Sequence, residues 1–190
     1  LIIENYLSGN VKAWGVLQNR SGKVTRQFSA DLNGKWDGKQ LILDEKFNWD
    51  DGEIQTRQWQ ITKIDDNNYE GTAGDVVGKA KGYSYGPAFK FEYVLLVPVK
   101  GREMKITFDD WIFKQDDRVA INRATMTKFG FKVAALTVVF VKINNFYWGF
   151  VNRPTKLKYN LLGRKLKILS VIVSAFGKWI SKEFLLTKPS

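Results

Sequence analysis

The stretch FDDWIFKQDD, residues 108–117, sets four aspartates around a tryptophan and two phenylalanines, and a near twin, FNWDDGE, occupies residues 47–53. Carboxylates at this density are the raw material of acid–base chemistry, provided that one of them has a perturbed proton affinity and a partner within reach. The chain offers few partners. It contains no cysteine and no histidine, which removes disulfides, thiolate metal sites, imidazole bases and the nucleophilic triads built on them. No cofactor, no metal site and no catalytic residue set is expected. The glycines of AGDVVGKAKGYSYG, residues 73–86, match neither a phosphate loop nor a dinucleotide fingerprint.

The aspartates divide by context. In DDG, residues 50–52, and in QDD, residues 115–117, they sit at breaks between apolar runs, where Asp is favoured because its side chain bonds the local backbone. Those are read as turn residues. Asp109 and Asp110 lie inside a strand-like run and so point to opposite faces. Asp110 shares its face with Met104, Ile106, Phe108 and Ile112, the one carboxylate that alternation places among apolar residues.

Three arginines break the pattern in the complementary sense. Arg26 alternates with Val24, Phe28, Ala30 and Leu32; Arg57 shares a face with Trp59 and Ile61; Arg123 shares one with Val119 and Ile121. If these faces are interior, the guanidiniums need counter-ions, because an unpaired buried charge costs several kcal/mol or more. Asp110 and Asp44, which alternates with Ile42, are the candidates. Two readings stand: a structural ion-pair network, or an anchor for the anionic head group of a ligand in an apolar cavity, for which Arg geometry is suited. A bulge that shifts the face by one residue would turn any of them to solvent. The candidate ligand site is therefore Arg26, Arg57, Arg123 and Asp110, with Trp59 and Phe108 among the aromatics read as core and cavity wall.

The elements that must hold these residues are strands. From about Val11 to Lys142 apolar and polar residues alternate in short runs, separated by NRSG (19–22), NGKWDG (33–38), DDG (50–52), DDNN (65–68), the glycines of 73–82, PVKG (98–101), QDD (115–117) and KFG (128–130). Such spacing predicts nine or ten antiparallel strands at hairpin distance. With no long helix interleaved, the expected fold is an all-β antiparallel meander closing into a barrel, since closure removes the exposed edges.

The 190 residues carry 30 Lys+Arg against 19 Asp+Glu, a net charge of +11. Residues 153–190 hold nine of the basic residues against Glu183 alone, or +8, leaving +3 on the first 152. A nearly balanced body with a basic tail argues against a nucleic-acid partner.

Several strings, in order, resemble one bacterial family: VKAWGVLQNRSGKVTRQF (11–28), GKWDGKQLILDEKFNWDDGE (34–53), YEGTAGDVVGKAKG (69–82), FDDW (108–111) and INRATMTKFGFKV (121–133). Together they identify residues 5–142 as similar to the lipoprotein-like envelope proteins grouped as domain of unknown function 3833. The resemblance implies a lipocalin-like barrel at a bacterial cell envelope and a precursor with a lipid-attachment signal ahead of Leu1. It implies no reaction and no ligand. Trp36, Asp37, Asp50, Asp51, Asp75, Asp109, Asp110, Trp111, Asn122 and Arg123 look like signature positions of the family.

Residues 143–190 fall outside the resemblance and are read as a separate basic extension. On a helical period, residues 160–184 segregate an apolar face around Leu162, Leu166, Leu169, Val173, Phe176 and Ile180 from a face with Arg164, Lys167 and Lys178. That is the pattern of a cationic interfacial helix, with Lys167, Lys178 and Trp179 as membrane contacts. A helix packed on the barrel, a β-branched strand at SVIVSAF, and an accidental extension of the reading frame are the competing readings. The expected function is that of an envelope-associated protein binding an amphipathic, anionic small molecule such as a fatty acid or lipid. A lipid-modifying enzyme using a buried carboxylate, and a structural module without ligand, are the alternatives.

Overall fold

The computed structural model describes residues 1–99 and 101–143. A short helix, α1 (Ile3–Leu7), precedes ten strands: β1 (Gly9–Asn19), β2 (Val24–Trp36), β3 (Gln40–Trp49), β4 (Ile54–Lys63), β5 (Asn68–Thr72), β6 (Ala80–Tyr85), β7 (Ala88–Val99), β8 (Arg102–Lys114), β9 (Val119–Lys128) and β10 (Phe131–Ile143). Each strand pairs antiparallel with its neighbour in sequence, and β1 pairs with β10 from Asn10↔Ile143 to Asn19↔Ala134, closing the barrel. The expected all-β meander and its closure are both present. Lys167, Lys178, Trp179 and the rest of the amphipathic extension from residue 144 onward lie outside the described residues.

The hairpins turn where short polar residues and glycines allow it. Asp37 accepts the backbone N–H groups of Lys39 and Gln40 at 2.8 and 2.7 Å, and Asp116 accepts those of Arg118 and Val119 at 2.7 Å each. These bonds favour the ionised carboxylate and hold both groups below the ordinary Asp range. One turn, at Gly86-Pro87 between β6 and β7, is not among the breaks marked in the sequence.

Two features shape the interior. First, α1 plugs the end of the barrel where β1 begins: Ile3 and Leu7 line the interior, and the Tyr6 hydroxyl donates to the carbonyl of Arg118 (3.1 Å) or Phe140 (3.2 Å). The plug fits because Gly34 has no side chain; a Cβ there would stand 2.1 Å from the Leu7 carbonyl oxygen. Second, β5 and β6 are short, so the hairpin-end halves of β4 and β7 have no strand between them. Residues 73–79 fill the gap, with the Val77 N–H donating to Val94 O (2.8 Å) and the Leu96 N–H to Asp75 O (2.9 Å). This segment carries Asp75 to the wall beside β4. The largest fully buried side chains, Ile3, Val11, Leu41 and Phe89, lie at the plugged end.

Candidate functional site

Inside the barrel lies a cavity of about 660 Å³ that runs from Ile3 and Leu7 at the plug to Val99, Lys128 and Val133 at the opposite end, where the hairpin turns 20–23, 50–53 and 129–130 and the facing ends of β7 and β8 form a rim. Its wall is chiefly apolar and aromatic. Trp59 packs on Phe91 and Tyr93 with ring centroids 5.0 and 5.2 Å apart, and Tyr93 stacks on Phe108 at 5.0 Å with planes 10° apart. Trp59 and Phe108, expected from their faces, are thus both in the wall.

At mid-height the wall carries a polar cluster. The Arg57 guanidinium, 15% exposed, grips Asp75 through Nε (3.0 and 3.1 Å) and Nη2 (2.7 Å) and stands 3.8 Å from Glu45 through Nη1. In the same cluster Asp110 accepts the Tyr93 hydroxyl at 3.0 Å and the Asn122 side-chain amide. Asn122 also donates to the Trp111 carbonyl at 3.3 Å, which fixes its rotamer.

The cluster is acid-rich: one guanidinium faces Glu45, Asp75 and Asp110. Burial disfavours the charged form of Glu45; Arg57 opposes that effect, while Asp110 and Asp75 add to it, and the carboxyl is pushed up to about 7. Asp110 is raised as well, by burial first, against the pull of the Asn122 and Tyr93 bonds. Burial and the neighbouring Asp110 hold the Tyr93 phenol well above its ordinary value, so it is a hydrogen-bond donor at any physiological pH. Near neutrality the Glu45 carboxyl therefore holds a proton for part of the time, where an ordinary Glu is ionised. The cluster can donate hydrogen bonds, and one carboxyl titrates close to pH 7.

Arg26 stands at the rim end of the cavity. Its guanidinium lies 4.0 Å from the centroid of the Trp49 ring and bridges Asp51 (2.7 Å) and Glu53 (2.8 Å) of the β3–β4 turn. The expected site residues Arg26, Arg57 and Asp110 all line one cavity.

Two face assignments are corrected. Arg123 points outward and is exposed, opposite the outward Trp111 in the β8–β9 ladder; its face, with Val119 and Ile121, is the outer one. The inward side chain at that position of β9 is its neighbour Asn122, 2% exposed. Asp44 is likewise exposed, accepting a hydrogen bond from Gln58 Nε2 at 2.7 Å, so it cannot serve as an internal counter-ion. Its neighbour Glu45 takes that role. Both replacements were signalled by alternation, since Asn122 falls between Ala120 and Ala124, and Glu45 continues the series Leu41, Leu43, Phe47. Asp75 carried no periodic signal because it lies in a loop.

These features define a lipocalin-like closed β-barrel with an internal cavity, plugged at one end by a helix. The family described as protein of unknown function (DUF3833) matches residues 1–142, and the chain belongs to it, in line with the resemblance of the strings. No curated protein matches the chain in sequence. Among solved structures it is similar to an S-type phycobiliprotein lyase from Guillardia theta, with 9% identity and a TM-score of 0.54 over 75% of this chain and 91% of that one. It is also similar to a protein of unknown function from the DUF3598 family of Nostoc punctiforme, with 15% identity and a TM-score of 0.55. That match covers 74% of this chain and 49% of the other, so the chain spans about half the length of that protein. At such identities the shared property is the fold.

Proposed function

We propose that the protein is an envelope-associated binding protein for an amphipathic small molecule, a fatty acid or lipid, held tail-first inside the barrel. The observation that carries this reading is the apolar-walled cavity of about 660 Å³, which falls in the usual range of roughly 300–1,000 Å³ for small-molecule sites. A barrel filled by its own side chains would instead favour a structural module.

The charges give the orientation. Arg57 has its fork occupied by Asp75, and Glu45 and Asp110 stand nearby, so an anionic head group at that depth would meet more carboxyl than guanidinium. At the rim end Arg26 is likewise held, by Asp51 and Glu53, but Lys128 lines the cavity there without an ion pair among the described residues, so an anionic end remains solvated and faces an unpaired cation. The apolar tail then passes among Trp59, Phe91, Phe108 and Leu136.

Native mass spectrometry of the purified full chain, with lipid extraction, tests for a co-purifying ligand. Displacement of a fluorescent polyene fatty acid measures its binding. Leu136→Trp takes up part of the cavity and is expected to weaken binding by about tenfold, or about 1.4 kcal/mol, with the fold retained because the added volume enters the cavity and not the packed core. A wild-type chain that neither carries a lipid nor takes up the probe would sink the reading.

A second reading, a lipid-modifying enzyme, is favoured by one observation, the carboxyl of Glu45 at about 7 in an accessible cavity. It predicts chemical change in the bound lipid that is lost in Glu45→Gln. Binding alone predicts recovery of the lipid intact.

A further inference from the structure

The rim of the barrel carries a combination of groups that neither the core nor the cavity needs. At the tip of the β9–β10 hairpin the sequence is KFGFK, residues 128–132. Phe129 and Phe131 are 88% and 74% exposed, more than any other large apolar side chain among the described residues. Phe129 is also the one non-glycine residue among them with positive φ, 51°, followed by Gly130 at 80°. Two consecutive positive φ values make the tight hairpin turn that normally selects Asn-Gly, because Asn tolerates the left-handed region and a bulky side chain does not. A phenylalanine here is unfavourable for the turn and unfavourable for solvation at once. Residues that cost stability twice over are the ones to examine for function.

The neighbours of this tip share its character. Through the β1–β10 and β8–β9 pairings the β9–β10 hairpin stands between the β1–β2 and β7–β8 hairpins. Val24, Val99 and Val133 on these three tips are exposed, and Val99, Val133 and Lys128 line the cavity as well, so the apolar rim runs without a break into the interior. Among the described residues of this half of the rim, Arg20, Lys23, Arg102, Lys128 and Lys132 stand against Glu103, and none of the five pairs with a carboxylate. The acidic β3–β4 turn lies on the other side, with Asp51 and Glu53 held by Arg26.

We propose that this half of the rim docks on an anionic lipid surface, with Phe129 and Phe131 entering the interface, the flanking lysines at the head groups and the cavity mouth turned toward the bilayer. A convex tip of aromatic residues between lysines suits a deformable surface of negative head groups over an apolar layer. The proposal does not depend on which molecule fills the cavity, and it is separate from the basic tail, whose contribution must be distinguished in the test.

Because the chain has no cysteine, a single introduced thiol can be labelled uniquely. Full-length protein with Phe129→Cys carrying an environment-sensitive fluorophore is compared with Asn67→Cys on the opposite, plugged end. Vesicles of mixed phosphatidylglycerol and phosphatidylcholine are used beside phosphatidylcholine alone. The label at position 129 is expected to brighten and shift to the blue with the anionic vesicles only, and to be quenched by an acyl-chain nitroxide, while the label at position 67 stays unchanged. In the unlabelled chain, Phe129→Asn is expected to lower partition into anionic vesicles by about tenfold while the melting temperature holds or rises, because Asn suits the turn. A merely structural Phe129 would show neither loss of binding nor the opposite signs. Flotation of the full chain with a silent label at position 129 would assign docking to the tail and overturn the proposal. So would wild-type partition of Phe129→Asn. A label that ignores vesicles but responds to poly-glutamate would assign the patch to an acidic protein, with the same result.

Discussion

The barrel buries carboxylates in two places and treats them in opposite ways. At the plugged end Glu4 of α1 is 4% exposed, and its two oxygens receive Lys63 Nζ and the Tyr69 hydroxyl at 2.9 Å each. Burial alone would raise its proton affinity, yet the bonds from Lys63, its own backbone and Tyr69 bring it below the ordinary Glu value. In the cavity Glu45 shares Arg57 with Asp75, and its Oε2 atom is buried with no hydrogen-bond partner. The first carboxylate is saturated, as a structural one must be. The second is short of donors inside an accessible cavity, which is how sites meant to receive another molecule differ from sites meant to hold the chain together.

The largest expected effect comes from removing the cation of the cavity cluster. Arg57→Met leaves Asp75 and Glu45 without their counter-ion and opens the side-chain link between β4 and the 73–79 segment. The cost should be about 3–5 kcal/mol, as for other broken buried pairs. It should be larger at pH 8 than at pH 5, because Glu45 can neutralise itself by binding a proton at the lower pH. Urea denaturation at the two pH values checks this; an equal and small loss at both would show that the cluster carries no net strain.

Glu45→Gln sharpens the contrast more gently. A carboxyl whose folded value is about 7 against an ordinary 4.5 binds more protons in the folded state across that window. Stability should therefore fall as pH rises from 4.5 to 7, by up to about 3 kcal/mol, and stay level above it. The Gln variant should lose this slope and exceed the wild type by about 2 kcal/mol at pH 8. A wild-type curve flat over the window would show that Arg57 compensates the burial fully.

Much of this arrangement was legible before the fold was known. Strand alternation brought Arg26, Arg57, Asp110, Trp59 and Phe108 to one interior, because a period of two is obeyed wherever one face of a sheet is buried. The same rule gave the face of Arg123 correctly as a set, but a set has two sides. Val119 and Ile121 are apolar enough to pass for core, whereas the core of β9 is the small pair Ala120 and Ala124 flanking Asn122. Apolar size misled there, and the small inward residues, which leave room for Phe108 and Tyr93, went unread. Helix α1 and the contact of Asp75 with Arg57 had no periodic signature. A five-residue plug is too short to show one, and a loop carboxylate meets its partner only through tertiary closure.

The smallest effect, and the one that separates the two carboxylate sites most cleanly, belongs to Glu4→Gln. Gln keeps one acceptor oxygen and loses the charge, so either Lys63 or Tyr69 must give up its bond, and Lys63 is near enough to solvent to do so. The loss should be about 1.5 kcal/mol near neutrality, the low end for a hydrogen bond to a charged group, because the released Lys63 can turn to solvent. Its pH dependence should run opposite to that of Glu45. A carboxylate held below its ordinary value of 4.5 stabilises the fold fully above that pH, and the contribution drains away as pH falls through the folded value. Both variants should therefore meet the wild type in acid and part from it with opposite signs as pH rises, Glu4→Gln becoming the less stable and Glu45→Gln the more stable. If Glu45→Gln instead falls below the wild type toward alkaline pH, as Glu4→Gln does, the two sites are one kind of structural ion pair, and the cavity cluster loses its claim to be anything more.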